Sequence, residues 1–96
     1  MDILVTYDIA DTDGPGSIRL RRIADVCQRY GERVQLSVFE CRVAPDGYIR
    51  LLGELEDAIN PRLDSVVVYR FVGEIQAART TFGRARSREL GEPWLV

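Results

Sequence analysis

The sequence predicts an α+β domain whose strands and helices follow in the order βαββαβ. Three observations carry this. Apolar and β-branched residues alternate at the spacing of strands near residues 2–9, 34–43 and 64–71. Apolar residues recur at helical spacing over 18–30 and 47–59. Clusters of Gly, Pro, Asp and Asn fall between these segments and supply the turns. Two helices can cover only one face of a four-stranded sheet, so the expected architecture is a ferredoxin-like sandwich with one bare face. A bare, partly apolar face tends to be covered by a partner chain.

Each element has its own warrant. Residues 2–9 (DILVTYDI) form the first strand, broken by Gly14, Pro15 and Gly16. Ser17 is then placed to cap the first helix, which carries Leu20, Ile23, Ala24, Cys27 and Tyr30 on one side. Gly31 stands where that helix should stop. In ERVQLSVFECRV the alternation of Val34, Leu36 and Val38 gives way to that of Phe39, Cys41 and Val43, so the phase slips near Ser37. Such a slip means either a bulge or two short strands joined by a tight bend. Pro45-Asp46-Gly47 punctuates the chain. Residues 47–59 form the second helix, with Tyr48, Leu51, Leu52, Leu55 and Ile59 on one face and Asn60-Pro61 ending it. DSVVVYRF, residues 64–71, is the strongest strand signal. The division expected is a core over 1–73 and a C-terminal extension over 74–96. Its apolar tail, Trp94, Leu95 and Val96, would gain a role as an extra strand on a sheet edge, of this chain or of a second subunit.

Composition excludes several classes of function. Ninety-six residues make one domain with a modest core. With 46% apolar and 29% charged residues the balance is that of an ordinary globular domain. No apolar run approaches the roughly 18 residues of a membrane span, and no secretion signal is visible, so the expectation is a cytoplasmic protein. Two cysteines without a CxxC pattern fit a reducing compartment. The absence of histidine removes a Ser-His-Asp triad and a histidine general base. No P-loop or Rossmann fingerprint is present.

The net charge of −2 hides a polarised chain in which all 13 basic residues are arginine. Residues 17–34 hold five Arg against two acids, and 79–88 hold four Arg, whereas 44–64 are net acidic. A basic face can therefore coexist with a low pI, although solvated helix faces account for the same pattern.

The first strand delivers Asp8 at its tip, with Asp11 and Asp13 just beyond. A strand-held carboxylate suits Mg²⁺, which often uses one or two carboxylates and keeps several waters. The competing reading is that Asp8 satisfies loop amides while Asp11 and Asp13 are solvated turn residues. A calcium loop is excluded: aligning Gly14 to its invariant glycine puts Ile9 and Leu20 at ligand positions. An RNA-recognition module shares the element order, but SVFECRV offers one aromatic where a stacking platform needs several.

Taken together, LVTYDI, LRRIADVCQRYG, RVQLSVFECRV and DSVVVYRF, in that order, closely resemble the CRISPR-associated protein two family of spacer-acquisition proteins. The most specific stretch runs from Tyr30-Gly31 through Arg33-Val34-Gln35 to Ser37-Val38-Phe39-Glu40-Cys41-Arg42, and the likeness covers roughly residues 2–71. The loop ADTDGPGS is longer here than in many members. The resemblance implies a homodimer clamped between two dimers of the larger CRISPR integrase, with spacer-precursor DNA lying across the assembly. It also implies a metal-dependent endonuclease acting on RNA or DNA, with Mg²⁺ or Mn²⁺ held by Asp8 from both subunits. Ser37 and Phe39 would support the dimer cleft, while Arg19, Arg22 and Arg33 would face nucleic-acid phosphate. The alternative is a stand-alone, toxin-like RNase of the same fold.

Overall fold

The computed structural model describes residues 1–83. The roles expected of Trp94, Leu95 and Val96, and of the arginines at 84, 86 and 88, lie outside the described residues. Strand β1 (Asp2–Asp8) leads to α1 (Gly16–Tyr30), β2 (Gly31–Gln35) and β3 (Val38–Arg42). Helix α2 (Pro45–Ala58), β4 (Ser65–Arg70) and a short α3 (Ile75–Ala78) follow. The sheet order is β2-β3-β1-β4, and every neighbouring pair is antiparallel. This is the ferredoxin-like sandwich that the sequence predicts.

Side chains alternate across the sheet, so parity assigns the faces. Ile3, Val5 and Tyr7 of β1 and Phe39 and Cys41 of β3 are buried with Ile23, Val26 and Cys27 of α1 and Leu51, Leu55 and Ala58 of α2. The other face carries Leu4 and Thr6, half-buried, and Val67 and Tyr69, which are 41% and 53% exposed. Asp8 has the parity of this helix-free face. Part of that face is covered by α3, whose Ile75 amide donates to Asp2 Oδ2 at 3.0 Å. Arg79 follows with two hydrogen bonds to the Glu40 carboxylate, at 2.8 and 2.9 Å. No helix of the described residues is long and apolar enough to cross a membrane.

Several local expectations change. Ser17 does not cap α1: the helix begins at Gly16, its N-cap is Pro15, and no side chain bonds the cap. The reason lies in the loop. The Asp11 carbonyl accepts from both the Gly14 and Gly16 amides at 2.9 Å, so the chain is already turning before the helix starts. Asp11 meets this geometry with φ = 56°, a left-handed conformation that Asp tolerates better than most residues. Pro45 opens α2 instead of punctuating the chain before it, because its fixed φ suits the first helical position. Strands β1 and β4 are slightly shorter than expected. Near Ser37 both alternatives occur. Leu36 and Ser37 form a tight bend, and the register shifts between Arg33 and Gln35.

Gly31 joins α1 to β2 with no intervening loop. Its amide donates to the Cys27 carbonyl while its backbone is already extended. Any residue can adopt that conformation, so space is what demands glycine. A Cβ there would collide with the Glu40 carbonyl oxygen and stand 2.8 Å from Cys41 Cα. Gly31→Ala is therefore expected to cost about 2–3 kcal/mol as an overpacking change. In a domain of this size that lowers Tm by roughly 10 °C or more, measurable by thermal unfolding.

Candidate functional site

The C-terminal tip of β1 is held from both sides. Asp8 pairs in register with Ser65 of β4, and the neighbouring Tyr7 amide donates to the Ser37 carbonyl at 3.1 Å. The tip thus lies between the start of β4 and the β2–β3 bend, whose Leu36 is 80% exposed. The Asp8 side chain is exposed and has no hydrogen-bond partner among the described residues. Asp11 and Asp13 are exposed in the loop beyond it. The three acids do not form a cluster, and no group of three or more potential metal ligands exists among the described residues.

The carboxylate that organises this end is Asp64, whose side chain is fully buried. It accepts from Arg19 Nε at 2.7 Å and Nη2 at 3.2 Å, from the Asn60 amide at 2.8 Å and from the Ala10 amide at 3.0 Å. Arg19 Nη2 also donates to the Ala10 carbonyl at 3.1 Å. One anion thereby ties the loop after β1, helix α1 and the end of α2 to the start of β4. Charge-assisted bonds of this kind are the strong ones. The Arg19 guanidinium, helped by the Asn60 and Ala10 amides against the effect of burial, holds the Asp64 carboxyl down to about 2. At the opposite end of β1, Asp2 is similarly lowered to about 2 by Arg42, with the Ile75 amide adding to the effect.

The other residues singled out in the sequence are dispersed. Arg22 is exposed on α1. Arg33 lies over the Phe39 ring, with Cζ 5.1 Å from its centroid, and its buried Nε has no hydrogen-bond partner. Phe39 is fully buried and packs at 6.2 Å from Tyr7, whose hydroxyl donates to the Leu36 carbonyl at 3.3 Å. Phe39 therefore sits beneath the helices. Ser37 occupies the bend beside β1 and contributes its carbonyl to the Tyr7 amide. Arg19 is bound to Asp64, with its side chain 17% exposed.

A cleft of ≈ 400 Å³ lies elsewhere, between α3 and the β2–β3 edge, lined in part by Asp2, Tyr30, Glu40, Arg42 and Arg79. It opens at the Asp2 end of β1, about 20 Å along the strand from Asp8. Among its charged groups, Asp2 pairs with Arg42 and Glu40 with Arg79. Cys27 and Cys41 are buried free thiols, pushed up to about 12 and about 11 chiefly by burial. Neither supplies a thiolate nucleophile near neutrality.

Sequence reading missed Asp64 as a site residue and took it only as the start of a strand. No local pattern marks it, because its partner Arg19 lies 45 residues away in the chain. The sequence could not reveal that the two meet.

The two low carboxyls predict acid sensitivity. Asp64 and Asp2 have ordinary values of 3.8 and folded values of about 2. Well above 3.8 both groups are ionised in either state and their stabilisation is complete. As pH falls, the unfolded chain binds protons first, and the stabilisation is lost through about 2. Chemical denaturation at pH 7, 5, 4 and 3 should show the loss confined to the two lowest values, with a smaller acid loss in Asp64→Asn. That variant should also cost about 3 kcal/mol at pH 7, because it breaks a buried ion pair.

Comparison with known proteins agrees with this architecture. Residues 1–79 match the family model described as CRISPR associated protein Cas2. A Chlorobaculum tepidum protein named CRISPR-associated endoribonuclease Cas2 is 49% identical over 73 residues, which cover 76% of this chain and 75% of that protein. A Halalkalibacterium halodurans protein named CRISPR-associated endonuclease Cas2 is 38% identical over 93 residues, covering 97% of each. The crystal structure of Streptococcus pyogenes Cas2 at pH 6.5 superposes with a TM-score of 0.77 at 38% identity, covering 86% of this chain and all of that one. The βαββαβ sandwich that presents Asp8 at the tip of its central β1 strand is therefore a Cas2 fold, and this chain belongs to the CRISPR-associated Cas2 family.

Proposed function

We propose that this protein acts in CRISPR spacer acquisition as a homodimer that bridges integrase dimers and binds spacer-precursor DNA. Within that role it has a metal-dependent endonuclease activity on RNA or DNA centred on Asp8. The observation that carries the nuclease reading is the contrast among the carboxylates of β1 and its neighbours. Asp2 and Asp64 are saturated by arginine and backbone amides, whereas Asp8 is exposed and uncommitted at the end of a hydrogen-bonded strand. The names of the Chlorobaculum tepidum and Halalkalibacterium halodurans relatives support it.

The residues fit a hard divalent cation. Asp8 supplies a rigidly placed oxygen ligand, and one such ligand with several waters is a usual environment for Mg²⁺ or Mn²⁺. Asp8 has the parity of the helix-free face, so a twofold packing of two such faces would bring a second carboxylate from the partner. The exposed Val67 and Tyr69 on that face favour burial there. A bound ion would polarise the scissile phosphate and lower the pKa of a coordinated water. With no histidine in the chain, Asp8 contributes by holding and orienting that ion. Arg22, which is exposed, and Arg33, which is half-buried, would donate to phosphate oxygens.

The scaffold role is the dominant one, because a single carboxylate per protomer makes a slow enzyme. Cleavage of single-stranded RNA and duplex DNA with Mg²⁺ or Mn²⁺ separates the two roles. Asp8→Asn should reduce cleavage to the metal-free background while leaving spacer acquisition intact. If Asp8→Asn cuts as well as the parent, the nuclease reading of Asp8 is wrong. Arg22→Glu should weaken DNA binding and flatten the salt dependence by about 0.9 in log–log slope for each phosphate that Arg22 neutralises in the parent. Removal of residues 93–96 should shift the dimer toward monomer in sedimentation. Co-purification with the CRISPR integrase would count against the stand-alone RNase.

A further inference from the structure

We propose that Arg19 and Asp64 are a positioning pair for Asp8, and that Arg19 acts by gripping the Ala10 peptide rather than by contacting nucleic-acid phosphate. The proposal rests on the reading of Asp8 as the metal-binding carboxylate. Its basis is the geometry past the end of β1. The β1–β4 ladder closes at the Asp8–Ser65 pair. One residue further along β1 is Ile9, which is buried, and then Ala10; one residue back along β4 is Asp64. The Ala10 amide donates to Asp64 Oδ1 at 3.0 Å, so the Asp64 side chain continues the ladder where backbone pairing stops. The Ala10 carbonyl accepts from Arg19 Nη2 at 3.1 Å. Both the amide and the carbonyl of Ala10 are thus held two residues beyond Asp8, and the strand holds the other side.

Gly16 reinforces the clamp. A Cβ there would collide with the Ala10 carbonyl oxygen and come 2.8 Å from that of Asp11, so α1 approaches this loop as closely as glycine allows. Arg19 is poorly suited to a second partner. Its Nε and Nη2 together make three hydrogen bonds, its charge is balanced by Asp64, and 17% of its side chain is exposed. A neutralised guanidinium releases no counterion on meeting a phosphate, so it adds little to the salt-dependent part of nucleic-acid affinity.

The test compares Arg19→Ala, Arg19→Lys, Asp64→Ala and the Arg19→Ala/Asp64→Ala double variant, assayed well below each Tm. Asp8→Asn and Asp46→Asn serve as controls, the latter breaking an exposed ion pair on α2. In metal-free binding to a duplex DNA oligonucleotide, Arg19→Ala should keep the parent salt slope. Amide hydrogen exchange at residues 8–11 should accelerate in both single alanine variants. With Mn²⁺ and an RNA or DNA oligonucleotide, kcat should fall at least about tenfold in each, as expected when a reacting group is misplaced. The double variant should be no slower than the worse single one. Arg19→Lys should stay slow, since an ammonium cannot span Asp64 and the Ala10 carbonyl as the fork does.

Three results would overturn the proposal. One is a salt slope lowered by about 0.9 in Arg19→Ala, the value of one neutralised phosphate. Another is recovery of kcat in Arg19→Lys. The third is unchanged exchange at residues 8–11 in Asp64→Ala. Failure of the Asp8 reading is separate and shows as cleavage surviving in Asp8→Asn. The salt slope and the exchange rates still decide whether Arg19 grips the loop or the nucleic acid.

Discussion

The end of the molecule that presents Asp8 depends on one buried anion. Asp64 stands at the start of β4 and accepts four hydrogen bonds from α1, from the loop after β1 and from the end of α2. A buried carboxylate is tolerable only when its lone pairs are filled and its charge is matched, and here both conditions are met by segments far apart in sequence. Because no single segment can satisfy Asp64 alone, the three must converge together. The loop of residues 9–15, rich in turn residues and long enough to wander, is fixed at Ala10 by this convergence.

The opposite end of the sheet repeats the device with other residues. Asp2 takes the Arg42 guanidinium and the Ile75 amide, and Glu40 takes Arg79. These contacts draw α3 over part of the face that α1 and α2 leave bare. What remains open on that face runs toward Asp8 and includes Val67 and Tyr69. The two ends therefore have different characters. One is closed by arginine–carboxylate pairs and carries the cleft; the other ends in an uncommitted carboxylate beside an exposed apolar strip.

Legibility in the sequence followed the range of the interactions involved. Alternation in residues 2–9 and 64–71 and helical spacing in 18–30 and 47–59 report local geometry, and those elements stand where the pattern put them. The phase slip at Ser37 was also legible, although pattern alone could not choose between a bulge and a bend that occur together. Ser17 misled because a serine before an apolar run looks like a cap, and only the turn built on the Asp11 carbonyl shows that the helix had begun. Pro45 misled for a related reason, since proline both stops and starts helices. Asp8 was legible as a strand-tip carboxylate. Asp64 was not, because an acid's partner 45 residues away leaves no local trace.

By itself the sequence determined the fold class and the βαββαβ order of elements, because hydrophobic period and turn chemistry are encoded within a few residues of each other. Only the tertiary structure decided which of the carboxylates on and beside β1 are bound. Asp2 and Asp64 are held by Arg42 and Arg19, while Asp8 is left exposed. That choice depends on which charges the folded chain brings within hydrogen-bonding distance, and no pattern of residues along the chain contains it.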